Sequence, residues 1–458
     1  MTTVLEPLTG GGRTVLTGTL GEPGLDDAGY TESEWICRGS AVSYSAPDGL
    51  PGDGHWSLEV ASTAPFATRV VVRRPVDPDA CSNTVVIEWL NVSSGSDAAP
   101  LYGFLAPELL RRGHVWVGVS AQWSGIVAAP PLVTVGDGVA GGLSLVGLAD
   151  ADPERYGILA HPGDAFAFDI FTCAASAVTA PDGPLSDVEI RKLLAIGESQ
   201  SGYALTTYLN GVQPLTDRFD GFLIHSRGGP AMPLGEAGCG VDMEAGRADP
   251  PVRLRTDLDA PVIVVETETD LLGYLRFLPA RQDDTDRLRL WEVAGAAHAD
   301  RSIIGEFEEL LGCSDPVNRG QQRFVVRSAL RHLDEWVEGT SVPPSAERIA
   351  VTDVDGAAEF LTDDIGNAIG GVRTPCVEVP VEVLSGLAAP GSSRICQLFG
   401  RTIPVPEATL RERYASAEAY RQRYEAAVDA AIDAGFALVE DRNELLADAR
   451  PDLIGWLP

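Results

Sequence analysis

An apolar run stops abruptly near residue 197 at a Gly-x-Ser-x-small sequence, and a helix-compatible stretch begins a few residues later. The run Leu193-Leu194-Ala195-Ile196 leads into Gly197-Glu198-Ser199-Gln200-Ser201-Gly202, and residues 203–209 can continue as helix. A strand that turns directly into a helix leaves no space for side chains two residues either side of the apex, so those positions must be small. Ser199 meets this condition, with Gly197 before it and Ser201 after it; Ser201 does not, because Tyr203 follows it. The stretch therefore predicts a strand–turn–helix unit with the Ser199 hydroxyl presented at the apex. Short Gly/Ser turns are common, so the surrounding chain has to carry the rest.

That context is a succession of strands and helices. Residues 84–90 are nearly continuous apolar and β-branched, as a strand covered on both faces requires. The polar loop Asn91-Val92-Ser93-Ser94-Gly95 follows, then a helix over 101–112 closed by Gly113, then a second buried-type strand at 115–120. Upstream, 34–44 and 66–74 alternate as strands. Downstream, His161-Pro162-Gly163-Asp164 opens a helix over 165–178 with Asp164 as its N-cap, and 188–196 is the strand feeding the turn. Further strands are expected at 219–224, 261–265 and 288–293, and helices at 321–338 and 416–434. Strands alternating with helices predict an α/β fold with a mostly parallel sheet and helices on both faces.

The expected organisation has four parts: an irregular segment at 1–30, an α/β domain over 31–345, a lid-like insertion within it at about 226–259, and a C-terminal extension at 346–458. The insertion is placed where periodicity is lost, and 132–151 reads as a Gly-rich excursion. The extension, with strand-like 377–384, is expected to pack on the core and lend walls to a cleft.

Composition narrows the partners. Sixty-six acidic residues against 34 basic ones give a formal net charge of −32, a field that repels nucleic acid and anionic membranes. Seven scattered cysteines without a CxxC indicate neither a disulfide scaffold nor a zinc site, although a Cys239–Cys313 or a Cys376–Cys396 bridge stays open. No leader-like start and no membrane-length apolar run is read, so a cytoplasmic location is the expectation.

A serine hydroxyl is a weak nucleophile until a neighbouring base takes its proton, and that base needs an orienting acid. In a parallel α/β sheet these partners are expected on loops after later strands, in the order serine, acid, histidine. The strand at 261–265 is followed by Glu266-Thr267-Glu268-Thr269-Asp270, and the strand at 288–293 by Ala294-Gly295-Ala296-Ala297-His298. Asp270 is the first candidate for the acid, because its loop has the reach to meet His298, and Glu268 is the alternative. Taken alone, Asp270 would read as the N-cap of a helix over 271–278. His55, His114, His161, His225 and His332 fit structural positions better, His225 because it precedes the acid in sequence. An oxyanion needs two donors: the backbone N–H of Gln200, and one from the loop after 84–90, where Val92 and Ser93 both qualify. Asp97 in that loop reads as a solvated carboxylate.

Four segments together, Glu88-Trp89-Leu90-Asn91-Val92-Ser93, Trp116-Val117-Gly118-Val119-Ser120-Ala121-Gln122, Tyr156-Gly157 with His161-Pro162-Gly163-Asp164, and Gly197-Glu198-Ser199-Gln200-Ser201-Gly202, resemble a family of bacterial α/β-hydrolase-domain proteins. The likeness runs from about residue 30 to the C-terminal helices. It implies an α/β-hydrolase fold and carboxylic-ester hydrolysis, with Ser199, Asp270 and His298 as the catalytic set. Ser201 departs from the hydrolase pattern, where glycine is usual. The expected function is a serine hydrolase acting on a small-molecule ester through an acyl-enzyme, with no cofactor and no metal. Lactone or amide cleavage and acyl transfer would leave the same signature; a binding protein on this scaffold is the alternative of another kind.

Overall fold

A computed structural model describes residues 3–9, 14–18, 23–127 and 146–454. Nine strands form one sheet: β1 (Val4–Pro7), β2 (Tyr30–Ser45), β3 (Glu59–Pro75), β4 (Thr84–Trp89), β5 (Val115–Val119), β6 (Lys192–Glu198), β7 (Gly221–His225), β8 (Val262–Thr267) and β9 (Leu288–Val293). Their order is β1-β2-β3-β5-β4-β6-β7-β8-β9. From β5 to β9 every pairing is parallel, while β1, β2 and β3 add an antiparallel flank joined through β5.

The helices that matter for the site are α1 (Pro100–Arg112), α2 (Ala167–Val178), α3 (Gln200–Thr207), α4 (Glu268–Leu272), α5 (Gln322–Glu338) and α6 (Ala417–Asp433). Side chains alternate across a strand, so a run such as 84–90 must be apolar throughout when both faces are covered. Val85, Ile87 and Trp89 join Phe168 and Phe171 of α2 on one face. Val86 joins Leu105 of α1 and Leu330 of α5 on the other. Gly113 ends α1 in the left-handed conformation, at φ 68°, as its sequence position suggested.

Several expectations fail locally. The segment 1–30 is not wholly irregular, because β1 pairs with β2 with Val4 opposite Arg38. Residues 377–384 are not one strand. Pro375–Glu378 forms a helical turn, and only Glu382–Ser385 is extended, paired antiparallel with Arg401–Pro404; Pro380 between them cannot donate to a ladder. The strand before the turn begins at Lys192 rather than 188. Of the excursion at 132–151, residues 132–145 lie outside the described residues, and Leu148–Ala151 is a short helix. Cys313 and Cys396 form a disulfide, which corrects both pairings left open above, since spacing alone does not fix connectivity. Among the described residues no helix is long and apolar enough to cross a membrane.

Candidate active site

Ser199 sits between the end of β6 and the start of α3 at φ 59° and ψ −119°, a conformation costly for a residue with a Cβ. Its N–H is tied to the carbonyl of His225, which fixes the turn against β7. A Cβ at Gly197 would lie 3.0 Å from Ser201 Cβ and 3.0 Å from Leu205 Cδ1, so any side chain there would press on α3. Ser201, the sequence rival, is fully buried, and its hydroxyl has no hydrogen-bond partner among the described residues.

The structure brings Ser199, His298 and Asp270 together from beyond the carboxyl ends of β6, β9 and β8. Ser199 Oγ lies 3.0 Å from His298 Nε2, and His298 Nδ1 lies 2.8 Å from Asp270 Oδ1. Asp270 is the third residue of α4, where it completes a capping box with Thr267: its Oδ2 accepts from both the N–H and the hydroxyl of Thr267, each at 2.7 Å. The same oxygen accepts from Ser226 Oγ at 2.8 Å. Asp270 is thus inside the first turn of a short helix rather than capping a longer one over 271–278, and that helix ends at Leu272.

Burial and pairing oppose each other here. Burial favours a neutral Asp270, but the hydrogen bond and charge of His298, with Thr267, outweigh it and hold the carboxyl below its usual range. Burial likewise disfavours a charged His298, and the Asp270 hydrogen bond and charge outweigh that too, so the imidazole is held above its ordinary value. Glu198 pushes His298 in the same direction.

Glu268, the alternative acid, turns elsewhere. Its two oxygens accept from the N–H groups of Gly295 and Gly386 at 2.6 and 2.9 Å, tying the loops after β8 and β9 to the C-terminal part of the chain. Burial pushes its carboxyl up to about 7 despite those donors. Glu266 is a β8 residue and is fully buried.

The donor loop differs from the expectation. The Val92 N–H is engaged by Gln200 Oε1 at 2.9 Å, and the Ser93 N–H by Asn91 Oδ1 at 2.8 Å. The Ser93 hydroxyl also donates to Asn91 Oδ1, at 2.7 Å. The Gln200 N–H, first in α3, has no intrahelical acceptor. Asp97 is not solvated: it is fully buried, paired with Arg69 at 2.7 Å and bonded by the Ser120 hydroxyl. Asp164 lies within a 3-10 turn and is not its N-cap; its carboxylate accepts from the N–H groups of Trp123 and Val241. His161 faces the Ala121 carbonyl, His332 that of Gly435, and His114 pairs with Ser82. His225 is buried behind the triad.

Ser199 and His298 open into a cavity of about 280 Å³ whose walls include Tyr203, Met243, Tyr274, Ile395, Leu398 and Phe399. Met243 comes from the short helix Met243–Gly246 within 226–259, and the last three come from helix Arg394–Phe399. Sequence reading missed Thr267 and Ser226 as supports of Asp270. The Thr-x-x-Asp spacing of a capping box could have signalled the first; nothing local signals the second. Among the described residues no cluster of three or more His, Cys, Asp or Glu could hold a metal ion.

A family model described as an alpha/beta hydrolase domain matches residues 4–447. No curated protein matches the chain. Among solved structures, the chain is similar to a fungal esterase from Rhizomucor miehei, at 12% identity and TM-score 0.33, covering 66% of this chain and 85% of that one. It is also similar to esterase 2 of Thermogutta terrifontis, at 14% identity and TM-score 0.31, covering 60% of this chain and 91% of that one.

Proposed function

Since the chain belongs to the alpha/beta hydrolase domain family, we propose that it is a serine hydrolase that cleaves a small carboxylic ester through an acyl-enzyme. The observation that carries this is the continuous path from Ser199 Oγ through His298 to Asp270, with Ser199 on a strained turn that presents its hydroxyl to an apolar cavity.

In the proposed reaction Ser199 Oγ attacks the ester carbonyl carbon while His298 Nε2 takes the hydroxyl proton. Asp270 fixes the ring with Nδ1 protonated, so that Nε2 is the free base, and stabilises the imidazolium that forms. The tetrahedral oxyanion is held by the Gln200 N–H, whose place at the start of α3 adds the positive end of the helix dipole. The second donor is the Ser93 hydroxyl. Asn91 Oδ1 accepts from both Ser93 groups, so the hydroxyl can rotate to substrate and leave Asn91 bonded to the N–H. Val92 keeps Gln200 oriented through its side chain. His298 then returns the proton to the departing alcohol, and water repeats the sequence on the acyl-enzyme.

The test is direct. Ser199→Ala is expected to lower ester turnover by about three orders of magnitude or more with the thermal midpoint retained, and a fluorophosphonate is expected to add its mass to Ser199. Retained turnover, or a folded wild-type protein that takes no label, overturns the assignment. A panel of esters, lactones, amides and alcohol acceptors separates ester cleavage from the other reactions of the same triad.

A further inference from the structure

Behind the triad lies a pair of ionisable groups that the reaction above does not use. Glu198 ends β6 and His225 ends β7, and the two are register partners across the parallel ladder. Both side chains are buried, and Glu198 also borders the Ser199 cavity. His225 Nδ1 lies 3.5 Å from Glu198 Oε2, and among the described residues neither atom has a hydrogen-bond partner. On its other edge, His225 Nε2 lies 3.4 Å from Ser226 Oγ, the group that bonds Asp270 Oδ2 at 2.8 Å.

Proton counting restricts what this pair can be. Asp270 accepts from Thr267 and His298 and is held ionised, so it has no proton to offer Ser226. The single hydroxyl proton of Ser226 therefore goes to Asp270, and Ser226 Oγ accepts from His225 Nε2–H. A neutral His225 would then turn a bare Nδ1 toward a buried carboxylate oxygen, two acceptors facing one another. One more proton, on Nδ1 or on Oε2, converts that repulsion into a hydrogen bond. We propose that Glu198 and His225 hold one shared proton and together form a positioning unit for Asp270, acting through Ser226.

The surroundings explain why such a proton has value. Acidic groups converge there from both neighbouring strands: burial, with Glu198 beside it, pushes the Glu88 carboxyl of β4 up to about 8, and burial, with Asp270 beside it, pushes the Glu266 carboxyl of β8 up against the opposing charge of Arg227. His298 feels Glu198 as well as Asp270. With the shared proton in place the pair is neutral, and Asp270 is the one full negative charge His298 answers to. Without it, Glu198 adds a second charge that favours the imidazolium and leaves less free base at a given pH.

The inference rests on the roles given to Asp270 and His298, so its test has one arm that does not need activity. His225→Gln keeps a donor for Ser226 but has no proton for Glu198; Glu198→Gln supplies an N–H to Nδ1 without adding charge. Nitrogen NMR of histidine-labelled protein is expected to show His225 protonated at both ring nitrogens, or infrared spectra to show a protonated-carboxyl band that Glu198→Gln removes. On the acid limb, kcat/KM of His225→Gln is expected to fall about tenfold relative to that variant's own plateau. Glu198→Gln is expected to keep the wild-type limb, and the double variant to return to it, which a merely structural role would not produce. A His225 ring with one N–H and no such carboxyl band overturns the shared proton. An acid limb unmoved in His225→Gln overturns the positioning role. A wild-type protein that turns over no ester fails the functional reading instead, and the spectra still decide the proton.

Discussion

Two carboxylates two residues apart, Glu268 and Asp270, end up in different electrostatic situations because one is tied to backbone N–H groups and the other to an imidazole. Asp270 receives His298, Thr267 and Ser226 and is held ionised; Glu268 receives two backbone N–H groups and is pushed up to about 7 by burial. The pH behaviour follows from the histidine. In the proposed reaction His298 accepts the Ser199 proton only when neutral, and the Asp270 hydrogen bond and charge, outweighing burial, hold its pKa above the ordinary 6.5. Activity is therefore expected to rise with pH through a point above that value. Asp270→Asn removes the charge that opposes burial, so the limb is expected to move down while kcat falls by about 10⁴-fold. Glu268→Gln should leave the limb where it is. A pH–rate profile of the three proteins checks this, and a limb that follows Glu268 instead would exchange the two roles.

At the scale of elements, what was legible in the sequence is what one strand or one turn dictates by itself. The buried strands β4, β5 and β9, helix α1 with its closing glycine, and the small residues flanking Ser199 each follow from local sterics and periodicity. The order of Ser199, Asp270 and His298 was legible because loops at the carboxyl ends of parallel strands meet at one edge. What failed depends on partners distant in sequence. Asp97 reads as loop carboxylate until Arg69 of β3 is placed beside it, and the Val92 N–H reads as free until the Gln200 side chain reaches it. The Cys313–Cys396 bond is of the same kind, joining residues 83 apart. It anchors helix Arg394–Phe399, which walls the cavity, to the loop preceding α5. Cys313→Ser with Cys396→Ser is expected to cost about 2–4 kcal/mol of stability. A reductant is expected to lower the thermal midpoint of the wild type and not that of the double variant; equal responses would mean the bond contributes nothing to the fold.

At the scale of the whole molecule, the cavity is built from segments distant in the chain. The connections after β6 and β9 supply Ser199 and His298, and residues beyond 345 supply Ile395, Leu398 and Phe399. The C-terminal part is fastened by arginines of α5 and α1: Arg327 pairs with Glu444 at 2.6 Å, and Arg111 with Asp441 at 2.8 Å. Tyr420 and Tyr424 of α6 pack with Phe324 of α5 in a separate apolar cluster. Under the proposed function a wall fixed this firmly serves as a preformed binding surface, and an apolar wall would distinguish substrates by how much hydrocarbon they place against it. Leu398, 8% exposed, is the most direct probe of that idea. Truncation to alanine removes three carbons from the wall, a loss of about 1–2 kcal/mol for an ester that fills the cavity. Leu398→Ala is thus expected to lower kcat/KM for long-chain or aromatic acyl esters by about tenfold, chiefly through KM, and to leave acetate esters nearly unchanged because they do not reach it. The ratio of the two substrates in one preparation cancels any difference in folded fraction. If that ratio does not move, the C-terminal helix bounds the cavity without touching the substrate, and the apolar group is held instead by Met243 and Tyr274 on the opposite segments.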